Sequence, residues 1–391
     1  ADTMTLPATD GFWDKVLALL TYDASSPLIF SSGLFLFLFA GFLLVYSAFR
    51  RAPMARIVYV IAFSLYFYYK SSGIYFLLLV FAAASDFLIA RGIFRIRSKS
   101  LKRWLMVLSV AVNLGMLGYF KYTNFFIDIS NQLFGQGFLQ FRNIFLPVGI
   151  SFFVFQSMSY TIDIYRGQLK PLSNWLDYLF YLSFFPQLVA GPIVRARDFI
   201  PQIRQNPIVV TREMFGTGVF LILTGLFKKA IISDYISLNF VDRIFDEPLL
   251  YSGFECLMGI YGYALQIYCD FSGYSDMAIG IALLLGFRFP KNFDAPYKSA
   301  TITEFWRRWH ISLSSWLRDY LYISLGGNRK GRIRTYGNLL LTMLLGGLWH
   351  GAAVRFILWG GLHGAALALH KLWMSVVPGA KATGAQMHWW S

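Results

Sequence analysis

Apolar runs fill the chain from Leu28 nearly to its C-terminus, separated by short polar connectors. A helix that crosses a bilayer needs roughly 20 apolar residues. Segments of this kind fall at 28–49, 57–70, 74–90, 104–120, 144–165, 174–191, 213–235, 252–270, 273–288, 336–350 and 353–377. The pattern predicts an all-α polytopic membrane protein of about eleven transmembrane or re-entrant helices, several too short to span unaided. "KSSG" (Lys70 to Gly73) reads as the turn of a hairpin within 57–90. Residues 27–377 then form one helical domain, with an extracytoplasmic segment at 1–26 and a polar tail at 378–391.

Two runs look interrupted. "FFPQLVAGPIVRARDFIPQ" (Phe184 to Gln202) carries Pro186, Gly191, Pro192 and Pro201, which break helices. "YCDFSGYSDMAIG" (Tyr268 to Gly280) is expected to break at Gly273 and restart with Ser275 as a helix cap. Broken backbone at membrane depth survives only inside protein or beside a wet cavity. A central polar tunnel follows from these breaks.

The segment "TEFWRRWHISLSSWLRDYLYISLGG" (Thr303 to Gly327) has helical periodicity throughout. On a wheel, Phe305, Trp306, Trp309, Leu313, Trp316, Leu317, Tyr320 and Leu321 share one arc. Glu304, Arg307, Arg308, Ser312, Ser314, Ser315, Arg318 and Asp319 share the other, as in a helix at an interface or lining a chamber. His310 falls on the apolar arc, where a polar group needs a partner or serves chemistry.

Composition supports the membrane reading: 57% of the residues are hydrophobic and 14% charged, against about 25% charged in soluble domains. The net charge of +15 does not point to nucleic acid. Its basic residues cluster in the acid-free connectors 50–56, 91–103 and 328–334, the bias of cytoplasmic loops. The acidic 242–248 linker and the 122–143 stretch then lie outside.

Candidate chemistry centres on His350, inside "LLTMLLGGLWHGAAVRFILWGG" (Leu340 to Gly361). Ionisable residues at membrane depth mark functional sites, and Gly346, Gly347 and Gly351 leave room for close approach. An imidazole with an unperturbed pKa near 6.5 suits proton removal from a hydroxyl. His363 and His370 stand seven apart and His388 lies in the tail; with Cys256 and Cys269 they form no metal-ligand spacing, so no metal and no bound cofactor are expected. There is no GxSxG nucleophile motif.

Several blocks carry a resemblance: "LPVGISFFVFQSMSYTIDIYRG" (146–167), "FFPQLVAGPIVRARDF" (184–199), the long run from Cys269 to Gly331, and "LLGGLWHG" (344–351). Together they resemble the membrane-bound O-acyltransferase family, and within it the bacterial alginate O-acetyltransferase branch. The resemblance implies a helical enzyme of the bacterial inner membrane with His310 and His350 as signature histidines and His350 as general base. It implies an acyl thioester donor from the cytoplasm, with acetyl-CoA first among them, and a hydroxyl acceptor on an extracytoplasmic polysaccharide or on a periplasmic acyl-relay protein. Members of that branch continue with further helices past the counterpart of His370, so a C-terminal part is missing from this chain or the chain is a shortened member.

On this reading, Trp306, Arg307 and Trp349 contact substrate, and Asp270, Ser272, Tyr274, Asp276 and Asn292 line the chamber or else cap and pack helices. Arg308, Arg318, Arg329 and Lys330, with Arg332, attract donor phosphates or anchor the helices at the bilayer surface. Two other readings stand beside it: D-alanyl transfer from a carrier-protein thioester, as in teichoic-acid pathways, and acyl or lipid transport without chemistry.

Overall fold

A computed structural model describes residues 11–377, all helix and connector with no strand among them. The helices are α1 (Phe12–Leu20), α2 (Gly33–Ala48), α3 (Pro53–Ser72), α4 (Phe76–Arg95) and α5 (Lys99–Leu117). α5 runs through a π-wound turn, Gly118–Tyr122, into α6 (Thr123–Phe134). Then come α7 (Ile150–Tyr165), α8 (Trp175–Ser183), α9 (Phe185–Leu188), α10 (Ala196–Ile203) and α11 (Arg212–Leu226). Wider turns with the short α12 (Asp234–Ile236) and α13 (Asp242–Asp246) extend α11, and α14 (Gly253–Leu284) follows. The chain closes with α15 (Ile302–Arg308), α16 (Ile311–Trp316), α17 (Arg332–His350) and α18 (Val354–Val376). The 378–391 tail and the first ten residues lie outside the described residues.

Among the described residues, three continuous helical runs are long and apolar enough to cross a membrane: Pro53–Arg95, Lys99–Phe134 and Arg212–Asp246. Lys70 and Gly73 sit where the first of these passes from α3 through a tighter turn, Gly73–Tyr75, into α4. Gly73 has φ 58°, which ends α3, while the Lys70 ammonium donates to the Leu19 and Thr21 carbonyls at the end of α1. Those orphan carbonyls of a helix C-terminus would otherwise be unpaired.

The expected break at Gly273 does not occur. α14 runs unbroken for 32 residues, joining the 252–270 and 273–288 elements into one. The glycine serves helix approach. A Cβ on Gly273 would stand 2.8 Å from the Gly225 carbonyl oxygen of α11, and one on Gly225 2.5 Å from that of Gly273. A second pair, Gly218 and Gly280, repeats the contact one heptad away, at 2.9 and 2.5 Å. Small residues at such crossings let membrane helices meet backbone to backbone. Ser275 is buried in mid-helix, where it accepts from Asn292 and caps nothing.

The 184–202 stretch breaks as its prolines dictate. α9 is four residues long, and a Cβ on Gly191 would stand 2.5 Å from the Pro186 carbonyl oxygen. This break drives Phe185 into the centre of a phenylalanine cluster with Phe30, Phe35, Phe39, Phe42 and Phe67. Beside it α4, α5, α7 and α8 bury a polar knot. The Asp86 carboxylate accepts from Ser109 at 2.5 Å, from Asn113 at 2.6 Å and from Ser157, whose Oγ lies 3.0 Å from the Tyr178 hydroxyl. A buried carboxylate persists there because each oxygen has a donor.

Candidate active site

α17 delivers His350 as its last residue, and α18 turns back against it. The glycines around His350 accommodate protein. A Cβ on Gly347 would strike the Phe356 carbonyl oxygen, one on Gly351 the Phe356 ring, and one on Gly360 the Met343 carbonyl oxygen. The room inferred from Gly346, Gly347 and Gly351 is therefore taken by Leu317 and α18. At the end of α17 the carbonyls of Leu348 and Trp349 have no partner within the helix. The Tyr122 hydroxyl donates to the first at 2.8 Å, and the Lys121 ammonium donates to the second. Lys121 also reaches Ser151 Oγ at 3.2 Å and stands 5.5 Å from the Trp349 ring centroid. The π-wound turn between α5 and α6 thus caps the helix that presents His350.

His310 reaches the same place by a route that the wheel did not anticipate. The 303–327 segment is not one helix. α15 ends at Arg308, Trp309 is extended, and His310 adopts the left-handed conformation, φ 43° and ψ 56°, before α16 begins. The break shifts the phase of the wheel, so Ser312 and Ser314, placed on the polar arc, are buried. Just past the break, the Ile311 and Ser312 N–H groups donate to the Asn292 carbonyl and Oδ1, and not to carbonyls of α15. His310 is nevertheless buried, 1% exposed, and neither ring nitrogen has a partner among the described residues.

The two imidazole centroids lie 6.5 Å apart. Trp349 stands 6.0 Å from His310 and 5.0 Å from His350. Phe271 at 4.7 Å, Phe293 at 6.2 Å and Phe152 at 6.5 Å complete the box around His310. His350, unlike His310, is exposed, with Trp359 on one side at 5.2 Å. Trp306 is buried and packs on Trp359 at 5.8 Å and on His363 at 5.3 Å. His370 shares a 2.8 Å hydrogen bond with Thr303, tying α18 to α15.

Other sequence candidates are placed elsewhere or engaged. Asp270 pairs with Lys229 and Asp276 with Lys228, each at 2.6 Å, bridging α14 to the extension of α11. The Ser272 and Tyr274 hydroxyls are buried without a partner among the described residues, and Tyr274 stacks on Phe30 at 4.6 Å. Arg307 is half-buried on α15. Arg308 pairs with Glu304 at 2.8 Å, and Arg318 with Asp319 at 2.6 Å. Arg329 and Lys330 are exposed in the turn before α17. They precede a 19-residue helix that ends at His350, about 28 Å away at 1.5 Å per residue. A cleft of about 300 Å³ opens at that end, lined by Arg332, Thr335, Tyr336 and Lys371. Among the described residues no group of three or more His, Cys, Asp or Glu is placed to hold a metal ion. Sequence reasoning missed Lys121, and the one available signal was a lone lysine inside an otherwise apolar run.

Comparison with known proteins bears on this site. Residues 141–388 match the sequence model described as "MBOAT, membrane-bound O-acyltransferase family", a span that includes both histidines. A probable alginate O-acetylase AlgI of Pseudomonas putida is 48% identical over 279 residues, 71% of this chain and 56% of that protein. The probable alginate O-acetylase AlgI of Azotobacter vinelandii is 45% identical over 351 residues, 88% of this chain and 69% of that protein. A peptidoglycan O-acetyltransferase of Helicobacter pylori is 38% identical over 373 residues, 88% of this chain and 70% of that protein. The chain thus spans a little over half to about two thirds of the length of these relatives.

Proposed function

The chain belongs to the membrane-bound O-acyltransferase family, and from that premise we propose that it transfers an acetyl group from a thioester to a hydroxyl of a cell-envelope polysaccharide. The observation that carries this reading is the pair of histidines: 40 positions apart in sequence, 6.5 Å apart in space, one open and one enclosed. His350 takes the proton of the acceptor hydroxyl as its oxygen attacks the thioester carbonyl. His310, with both nitrogens unpaired among the described residues, donates a hydrogen bond to the oxyanion that develops on that carbonyl. The carbon–sulfur bond then breaks, and the proton held by His350 passes to the departing thiolate, which leaves as a thiol with the imidazole neutral again.

Relatives named for alginate and for peptidoglycan support a polysaccharide acceptor. The donor is acetyl-CoA, arriving at the basic cytoplasmic face, and the acceptor is either the polysaccharide itself or a periplasmic protein that relays the acetyl group. The protein sits in the bacterial inner membrane with several passes.

The test is a reconstitution with radiolabelled acetyl-CoA and envelope glycan. Alkali-labile label on glycan or on a relay protein, absent with His350→Gln, is the expected result. Uptake of label across the membrane with no ester formed would replace this reading with transport.

A further inference from the structure

His310 is one of two non-glycine residues with positive φ among the described residues, the other being Ala295. Side chains rarely adopt that conformation, and it persists only where the surroundings over-determine it. The imidazole holds it by no hydrogen bond, since neither nitrogen has a partner among the described residues. The restraint comes through the main chain that follows, and one buried residue supplies most of it.

Asn292 lies in the connector between α14 and α15 and is 1% exposed. Its carbonyl accepts from the Ile311 N–H at 2.9 Å. Its Oδ1 accepts from the Ser312 N–H at 3.2 Å and from the Ser312 hydroxyl at 2.9 Å. Its Nδ2 donates to Ser275 Oγ at 3.0 Å, which fixes the amide to α14. Ser312 Oγ in turn accepts from the Ile193 N–H at 3.0 Å, so the clamp extends to the broken 184–202 stretch. Both polar atoms of the Asn292 side chain are engaged with protein, Oδ1 with Ser312 and Nδ2 with Ser275. An asparagine suits the position because one amide offers both the acceptor for α16 and the donor for α14.

We infer that Asn292 is a positioning residue: through the backbone of Ile311 and Ser312 it fixes the His310 imidazole in its unbonded, enclosed position beside His350. The inference rests on the acyl-transfer reading above. A group that acts on developing charge loses much of its effect when displaced by about an ångström.

The test is a double-mutant cycle in the reconstituted full chain. Asn292→Ala should lower kcat by about 10²-fold with little change in KM for the thioester. In a His310→Ala background, where no imidazole remains to be positioned, the same substitution should cost less than about threefold. Ser312→Ala removes the hydroxyl bonds to Asn292 and Ile193 but keeps the backbone bonds to Asn292, and should show a weaker loss with the same dependence on His310; it carries the test if Asn292→Ala does not fold. Equal losses in both backgrounds, accompanied by a lowered melting temperature, would mean that Asn292 merely stabilises the fold. A fully active His310→Ala single variant would instead bring down the role given to His310, and this inference with it.

Discussion

Trp349 packs beside both histidines at once: its ring is 6.0 Å from that of His310 and 5.0 Å from that of His350, while the imidazoles stand 6.5 Å apart. At that spacing the rings do not bond to each other.

His350→Gln keeps a hydrogen-bonding amide near the position of the ring but removes its basicity. Acyl transfer should become nearly undetectable, while the folded protein keeps its melting temperature, because His350 is exposed and supports no hydrogen bond among the described residues. Turnover within tenfold of the parent would rule out a general base at this position.

His310→Ala should lower kcat by about 10²–10⁴-fold, the range for loss of a group acting on transition-state charge. It should not weaken the fold by the amount usual for a buried polar residue, since no hydrogen bond to its nitrogens is lost. A large fall in thermal stability with little change in kcat in the surviving protein would make this histidine structural.

Lys121→Met removes the donor to the Trp349 carbonyl while keeping most of the side-chain volume. A buried carbonyl left without a partner costs about 1–3 kcal/mol, and the end of α17 that carries His350 loses one of its two anchors. The variant should melt lower and turn over more slowly, and Lys121→Arg should recover both. Thermal unfolding in detergent read beside the acetyl-transfer assay checks this, and a Met variant matching the parent in both would show that Tyr122 alone suffices.

How much of this was legible in sequence depends on whether a residue's partner lies nearby in the chain. The all-helical class was, because apolar runs report burial in bilayer or core directly. His350 stood out as a titratable group in an apolar run, and the motif around it pointed to the family. Gly273 was misread because a glycine looks the same whether it ends a helix or meets another glycine, and its counterpart Gly225 is 48 positions away. His310 was placed in the apolar interior by a continuous wheel that the structure breaks at the residue itself. Nothing local announces a left-handed histidine; Asn292, which bonds the backbone after it, lies in an earlier connector. Lys121 stood alone in an apolar run, but its role depends on the Trp349 carbonyl more than two hundred positions later.

The crossing of α11 and α14 offers a check on the packing alone, independent of chemistry. Gly216 and Gly225 lie on the same helix, and both would gain helix propensity of up to about 1 kcal/mol as alanine. A Cβ at Gly216 has nothing within 4 Å, whereas one at Gly225 stands 2.5 Å from the Gly273 carbonyl oxygen and 2.7 Å from Met277. Backbone cannot step aside as a flexible side chain can, so the clash outweighs the propensity gain, with overpacking typically costing about 1–3 kcal/mol. Gly225→Ala should therefore lower the melting temperature in detergent, and Gly216→Ala should leave it unchanged or raise it. Equal shifts for the two would mean that these helices do not meet backbone to backbone, and the Lys228–Asp276 and Lys229–Asp270 pairs that span the same crossing would lose their geometric basis.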